Sequence, residues 1–316
     1  MSLLTLDELS RLLGVPAVND ADLACMLGLM LPRLVERHPL GTRDVAWHID
    51  EIVRARDEGR IALYFDAYGR LAGTLFWKRL DDEAEAALLA GGDPVELAAS
   101  ASGTPWIAHL DAHKVELSCL LRRAAADGPL ASMADIAYAR IRRGWRIAKQ
   151  VRLPSRWQAG RGAPTPGNGF LASGGGGQMR GEAQDMLAEA RRLGEWLLVS
   201  RNCAAHAQRR PAALLDALVM PLRLGHYLET RAPDGRLEAF MTYGLLTDEG
   251  LDRFRHHGAT ALSPACFSEG DVLTALCAGA TRSPDAEATL VDRVATLHPG
   301  LRRDLRDAGL AALAPA

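Results

Sequence analysis

Side chains that exchange protons near neutral pH are few in this chain, and they are unevenly placed. Nine histidines are present, and imidazole is the group whose ordinary pKa lets it take up and release a proton between pH about 5 and 8. His38 lies in the loop His38-Pro39-Leu40-Gly41-Thr42, and His206 in Ala204-Ala205-His206-Ala207-Gln208-Arg209-Arg210. His109 belongs to a short apolar run of strand type, Pro105-Trp106-Ile107-Ala108-His109-Leu110, and Asp111 follows two positions later, on the same face of a strand. The pairs His256-His257 and His109/His113 invite a metal, but no Cys or carboxylate stands at the usual ligand spacing, so no metal site is expected. Five cysteines (Cys25, Cys119, Cys203, Cys266, Cys277) include no C-x-x-C pair, which argues against a disulfide framework and a zinc ribbon and for a reducing, cytoplasmic setting.

The elements that must carry these residues read as helices and short strands in alternation. Thr5-Leu6-Asp7-Glu8 is a capping box opening a short helix that stops near Gly14-Val15-Pro16. Asn19 or Asp20 starts a longer helix through Leu27, Leu31 and Leu34, and Val45, Ile49, Ile52 and Val53 recur at helical spacing up to Gly59. A hairpin from Ile61 to Trp77 follows, then a helix from Asp81 to Leu89, the run containing His109, and helices at about Val115 to Arg123 and Met133 to Val151. After a Gly/Pro-rich stretch the plan recurs: helices at about Glu182 to Val199 and Pro211 to Leu222, a hairpin from Tyr227 to Tyr243, a helix after Thr247, an apolar run at Val272 to Leu276, and a helix opened by Ser283-Pro284.

The recurrence is a repeat at fixed offset. Gly69-Arg70-Leu71 matches Gly235-Arg236-Leu237, an offset of 235 − 69 = 166, each after a tight turn. The same offset carries Leu27-Gly28 onto Leu193-Gly194, Gly59 onto Gly225, Asp82-Glu83 onto Asp248-Glu249 and Ala112 onto Ala278, with no gap from 27 to 112. The chain therefore reads as an α/β (α+β) protein of two tandem domains, 1–153 and 181–316, joined by a linker at 154–180. At 316 residues, 48% apolar and 24% charged, it has material for two ordinary cores. A net charge of −2 gives no case for a general nucleic-acid binder, and the absence of a run of 18 apolar residues gives none for a membrane span.

The order helix, histidine loop, helix ending in proline, hairpin closed by an aromatic, and late apolar strand resembles the toxin-activating lysine acyltransferases, the hemolysin-activating family. Val219-Met220-Pro221-Leu222 is similar to the family's proline-helix ending in the second half, while Val53-Arg54 stands there without proline in the first. The resemblance covers roughly 27–153 and 193–310. It implies two GNAT-like domains, each a small mixed sheet flanked by helices. It also implies transfer of a fatty acyl group from acyl carrier protein to an internal lysine of an RTX toxin-like partner, with no cofactor beyond the acyl carrier donor. The family uses a histidine before the proline helix and an aspartate on the late strand. His206, at 221 − 206 = 15 residues before Pro221, is the first candidate. The register puts Leu40 at that place in the first half, with His38 two residues away. At the aspartate position the register gives Ala275 and His109, so the dyad is degenerate in both halves; His109 and Asp111 are the remaining candidates.

Two further signals are weaker. Gln178-Met179-Arg180-Gly181-Glu182-Ala183 has the Q-x-x-G-x-A form of a coenzyme A cradle but lacks the preceding strand, and reads as a linker entering a helix. The run Arg140, Arg142, Arg143, Arg146, Lys149, Arg152 reads as the face of one helix, suited to the acidic acyl carrier protein or simply solvated. Two classes of function follow: a tandem acyltransferase, or a degenerate acyltransferase-like protein that binds a carrier or client without turning it over. A pseudo-dimer of the two halves is left open.

Overall fold

The structure is a computed structural model. It describes residues 3–14, 19–38, 40–112, 117–142, 145–152, 176–281 and 284–304. His113, Arg143, Trp157 and the linker positions up to Gly175 lie outside the described residues. Contacts group the chain into two compact units, Met1–Met26 with Glu36–Leu40 and Asp50–Ala188, and Leu27–Val35 with Gly41–Ile49 and Glu189–Ala316.

The first unit is built on a mixed sheet in the order β1-β2-β3-β4-β5-β6. Its strands are β1 (Leu4–Thr5), β2 (Ile61–Phe65), β3 (Leu71–Leu80), β4 (Thr104–Ala112), β5 (Asp135–Arg142) and β6 (Trp145–Arg152). Helix α1 (Leu6–Leu13) begins at the expected capping box, with Thr5 Oγ1 accepting from the Glu8 amide and the Glu8 carboxylate accepting from the Thr5 amide. Helix α2 (Asn19–Arg37) ends just before His38, α3 (Val45–Asp57) precedes the β2–β3 hairpin, α4 (Asp82–Leu89) follows it, and α5 (Leu117–Asp127) covers the sheet. Leu75, Trp77, Leu120, Ala124, Leu130 and Ile136 pack in one core cluster, and Leu80, Leu88, Trp106 and Ala137 in another.

Residues Met133 to Val151, expected as one helix, fold as β5 and β6 instead. Ile136, Tyr138, Arg140 and Arg142 occupy every second position of β5, a period of two that suits a strand, and the two arms pair antiparallel from Asp135↔Arg152 to Arg142↔Trp145. The basic run therefore spans two paired strands and not one helix face.

The second unit carries a mixed sheet in the order β10-β9-β8-β7. Helix α6 (Gly176–Asn202) begins ahead of the expected Glu182, because Gln178, Met179 and Arg180 are good helix formers. After α6 come α7 (Ala204–Ala207), α8 (Pro211–Leu224), β7 (Tyr227–Arg231), β8 (Leu237–Leu246), α9 (Asp248–His257), β9 (Val272–Ala280), α10 (Pro284–Leu297) and β10 (Arg302–Asp304). Leu290 and Val294 of α10 pack on Leu228, Met241, Leu273 and Ala278.

The two sheets agree in detail. Strands β2 and β3 map on β7 and β8 residue for residue at the offset of 235 − 69 = 166, and in each sheet the third matched strand pairs in parallel with a fourth. Both hairpins turn through a glycine in the left-handed region, Gly69 (φ 77°) and Gly235 (φ 84°), where a side chain would be strained. Both also carry a bulge at the same place, between Phe76 and Trp77 opposite β4 and between Thr242 and Tyr243 opposite β9. One expectation of the ungapped register fails at its end. Phe76 pairs with His109 and Thr242 with Cys277, so the counterpart of His109 is Cys277, not Ala275, and Ala112 matches Ala280, not Ala278. Two extra residues between β8 and β9 account for the shift.

Candidate functional site

In the first unit, four side chains from four separate segments form a continuous hydrogen-bonded line. His38, just past the end of α2, meets Asp93 through Nδ1 at 3.0 Å and His109 Nδ1 through Nε2 at 2.9 Å. His109 Nε2 in turn meets Thr74 Oγ1 at 2.8 Å. Thr74 and His109 are diagonal neighbours across β3 and β4, which brings their side chains together on one face. His109 and Thr74 are buried, whereas the His38 side chain keeps 15% of its surface in solvent.

The supports of this line are equally specific. Asp93 sits in the turn after α4, where its Oδ1 accepts from the Val95 amide at 2.9 Å. The Lys78 ammonium, wholly buried on β3, donates to the carbonyls of Val95 at 2.7 Å and Leu97 at 2.8 Å and so pins the segment that carries Asp93. Glu51 of α3, 4% exposed, lies 3.5 Å from Lys78 and 3.2 Å from Arg60. Burial pulls the Lys78 amine down to about 8, with the Glu51 carboxylate opposing and the Arg60 charge adding to the fall. Asp111 does share a face with His109, and its carboxylate takes an ion pair from Arg37 at 3.2 Å. Consecutive residues Arg37 and His38 are thus tied to Asp111 and His109 on one strand.

An ionised Asp93 accepts from His38 Nδ1–H and leaves the lone pair of a neutral His38 on Nε2. That lone pair then accepts from His109 Nδ1–H, and His109 Nε2 accepts from the Thr74 hydroxyl. A proton added at His38 reverses the last two bonds. The line sets two imidazoles within hydrogen-bond reach of each other and one of them on a carboxylate, an arrangement that general acid–base catalysis can use.

His206, the first candidate from spacing, is placed quite differently. It belongs to α7, is fully buried, and donates from Nε2 to the carbonyl of Ala278 at 2.6 Å. Its Nδ1 has no hydrogen-bond partner among the described residues, and Cys277 Sγ lies 3.6 Å from Nε2. Burial lowers the His206 pKa and pushes the Cys277 thiol up to about 12, so the contact is between a neutral imidazole and an inert thiol. No carboxylate reaches His206 within the described residues. The structure therefore joins His38 and His109, sets Asp111 beside them on Arg37, and leaves His206 apart in the second unit.

Sequence reasoning missed Asp93 and Thr74. Asp93 lies in Gly91-Gly92-Asp93-Pro94, a turn-forming stretch with no period to attract attention, and Thr74 sits inside an apolar strand. A usable signal did exist for His206. Its register partner, Leu40, is an apolar residue, and both positions are buried. Among the described residues no group of His, Cys, Asp and Glu is arranged to hold a metal ion, and no helix is long and apolar enough to cross a membrane. No protein-family model matches the chain, and neither a curated protein nor a solved structure does.

Proposed function

We propose that this chain is a lysine acyltransferase of the toxin-activating type, with two GNAT-like halves and its working centre in the first. The observation that carries the reading is the line Asp93–His38–His109, in which a loop histidine meets the late strand where the resemblance implies a catalytic pair. The late strand offers an imidazole in place of the family's carboxylate, and Asp93 supplies the carboxylate from the other side of the ring. In the reaction, the amine of a partner's lysine attacks the thioester carbonyl of an acyl-loaded carrier protein. The C–S bond breaks, the amide forms, and the amine proton passes to His38 Nε2 and then to the departing thiolate. The contact between Nε2 and His109 opens to admit the amine, as catalytic hydrogen bonds commonly rearrange when substrate arrives.

The acidic carrier protein is the donor, for which the arginine-rich sequence from Arg140 to Arg152 supplies opposite charge, and an RTX toxin-like protein is the client. The donor and the free cysteines fit a cytoplasmic setting. The sealed surroundings of His206 favour a second role for the second half: an acyltransferase-like body that grips carrier or client without chemistry. The test is incubation of the whole protein with acyl-loaded carrier and lysine-bearing client, read by intact mass. His38→Ala is expected to stop transfer and His206→Ala to leave it; transfer that survives the first substitution and dies with the second overturns the assignment.

A further inference from the structure

A pocket of about 370 Å³ in the first unit is lined by Arg54, Arg60 and Arg79 together with Trp77, Glu58 and Ser100. Arg60 and Trp77 are 4% and 8% exposed, and each carries a donor that the fold leaves unsatisfied: Nη2 of Arg60 and the indole Nε1–H have no hydrogen-bond partner among the described residues. Native folds rarely leave buried donors unpaired, because each forfeits the hydrogen bond it made with water. Here two such donors belong to residues that line one pocket.

The charges around them do not cancel. Arg60 meets Glu58 and Glu51, Arg54 and Lys78 share that same Glu51, and Arg79 donates to the Gly103 carbonyl at 3.1 Å with its guanidinium 5.9 Å from the Trp77 ring. Among the described residues that line the pocket, the guanidiniums of Arg54, Arg60 and Arg79 stand beside one carboxylate, Glu58, with Glu51 behind Arg54 and Arg60, so the lining keeps an excess of positive charge suited to an anion. The matched positions of the second half, Met220, His226 and Leu245, replace all three arginines, so the fold does not need them there.

We propose that this pocket binds the phosphoryl group of a small anionic metabolite, held by the guanidiniums of Arg54, Arg60 and Arg79 and the indole N–H of Trp77. Arginine forks fit tetrahedral oxyanions bidentately, and a phosphate monoester carries close to two charges at pH 7. The volume leaves room beside the phosphoryl group for the body of a small molecule. The inference does not depend on the acyl-transfer reading.

The test is calorimetric titration of the full chain with inorganic phosphate, with acetate and with chloride at matched ionic strength. Saturable phosphate binding is expected, stronger than acetate and absent with chloride, and weakened about tenfold or more in Arg79→Ala and in Arg54→Ala. Thermal unfolding and far-ultraviolet dichroism of each variant show that it remains folded. Three results overturn the proposal: no saturable phosphate binding up to ~10 mM, acetate binding as tightly as phosphate, or phosphate binding unchanged when both arginines are removed.

Discussion

The two halves share a scaffold and differ in where they keep charge. In β2, β3 and β4 and their bulges the first matches β7, β8 and β9 of the second, yet the interior of the first holds Glu51, Arg60, Lys78 and His109, where the second holds Ala217, His226, Gly244 and Cys277. The loops make the same point. His38 maps on Ala204 and Leu40 on His206, so the second half has its imidazole two residues later, at a place whose partner is a core leucine. A shift of two positions converts a mostly buried group bonded to a carboxylate into a sealed brace on a backbone carbonyl. Chemistry on this scaffold depends on side chains the scaffold itself does not need.

The contrast is open to attack by substitution. In the reaction we propose, His38→Ala should lower transfer by about 100- to 10,000-fold, with His206→Ala unchanged; equal losses in the two variants would erase the distinction between the halves. Glu51→Ala removes the carboxylate that the buried Lys78 and Arg60 share, leaving Arg60 with Glu58 and Lys78 with its carbonyl acceptors, and is expected to cost about 3–5 kcal/mol in urea unfolding, although alanine is the native residue at the matching position 217. A loss below about 1 kcal/mol, the scale of an exposed pair, would show that the buried cluster is not the feature that separates the halves.

Lys78 gives a titration test. Its folded pKa of about 8 lies below the ordinary 10.5, so between those values the unfolded chain holds a proton the folded chain has released. Stability from this group therefore rises as pH goes from about 8 toward 10.5, by about 3 kcal/mol in total. Lys78→Met should flatten that rise in denaturant midpoints taken across the range. The smallest effect belongs to His206→Leu, which installs the residue found at position 40. Burial holds the His206 pKa under the ordinary 6.5, so below that pH protonation favours the unfolded chain. The leucine variant should lose about 1 kcal/mol above pH 7 with the hydrogen bond to Ala278 and recover it relative to the parent as pH falls. An unchanged acid limb would mean that His206 is not buried in its neutral form.

What the sequence made legible was the part governed by local rules. Turn residues at Asp66 to Gly69 and Ala232 to Gly235, the capping box at Thr5, and the constant offset between the halves all act over a few positions, and they located the hairpins, α1 and the repeat. The alternation that makes 133–151 a hairpin was local too, but a dense row of arginines reads equally well as a helix face until pairing decides. The site was half visible. His38, His109 and Asp111 stand out by residue type, whereas Asp93 reaches His38 across 55 positions through a turn and Thr74 looks like any strand residue. No periodicity encodes such contacts. Spacing to Pro221 favoured His206, while the hydrophobic partner of that position pointed the other way.

The bulge opposite Phe76 and Trp77 has a consequence for parity. Trp106 and His109 are an odd number of residues apart, and a regular pleat would send them to opposite sides of the sheet. The additional residue, Ala108, lets Trp106 pair with Lys78 and His109 with Phe76, two positions of β3 on the same side. Leu276 is the additional residue of the second half. Both sheets thus turn the matched residue, His109 in one and Cys277 in the other, to the same side as Trp106 and Thr274 respectively.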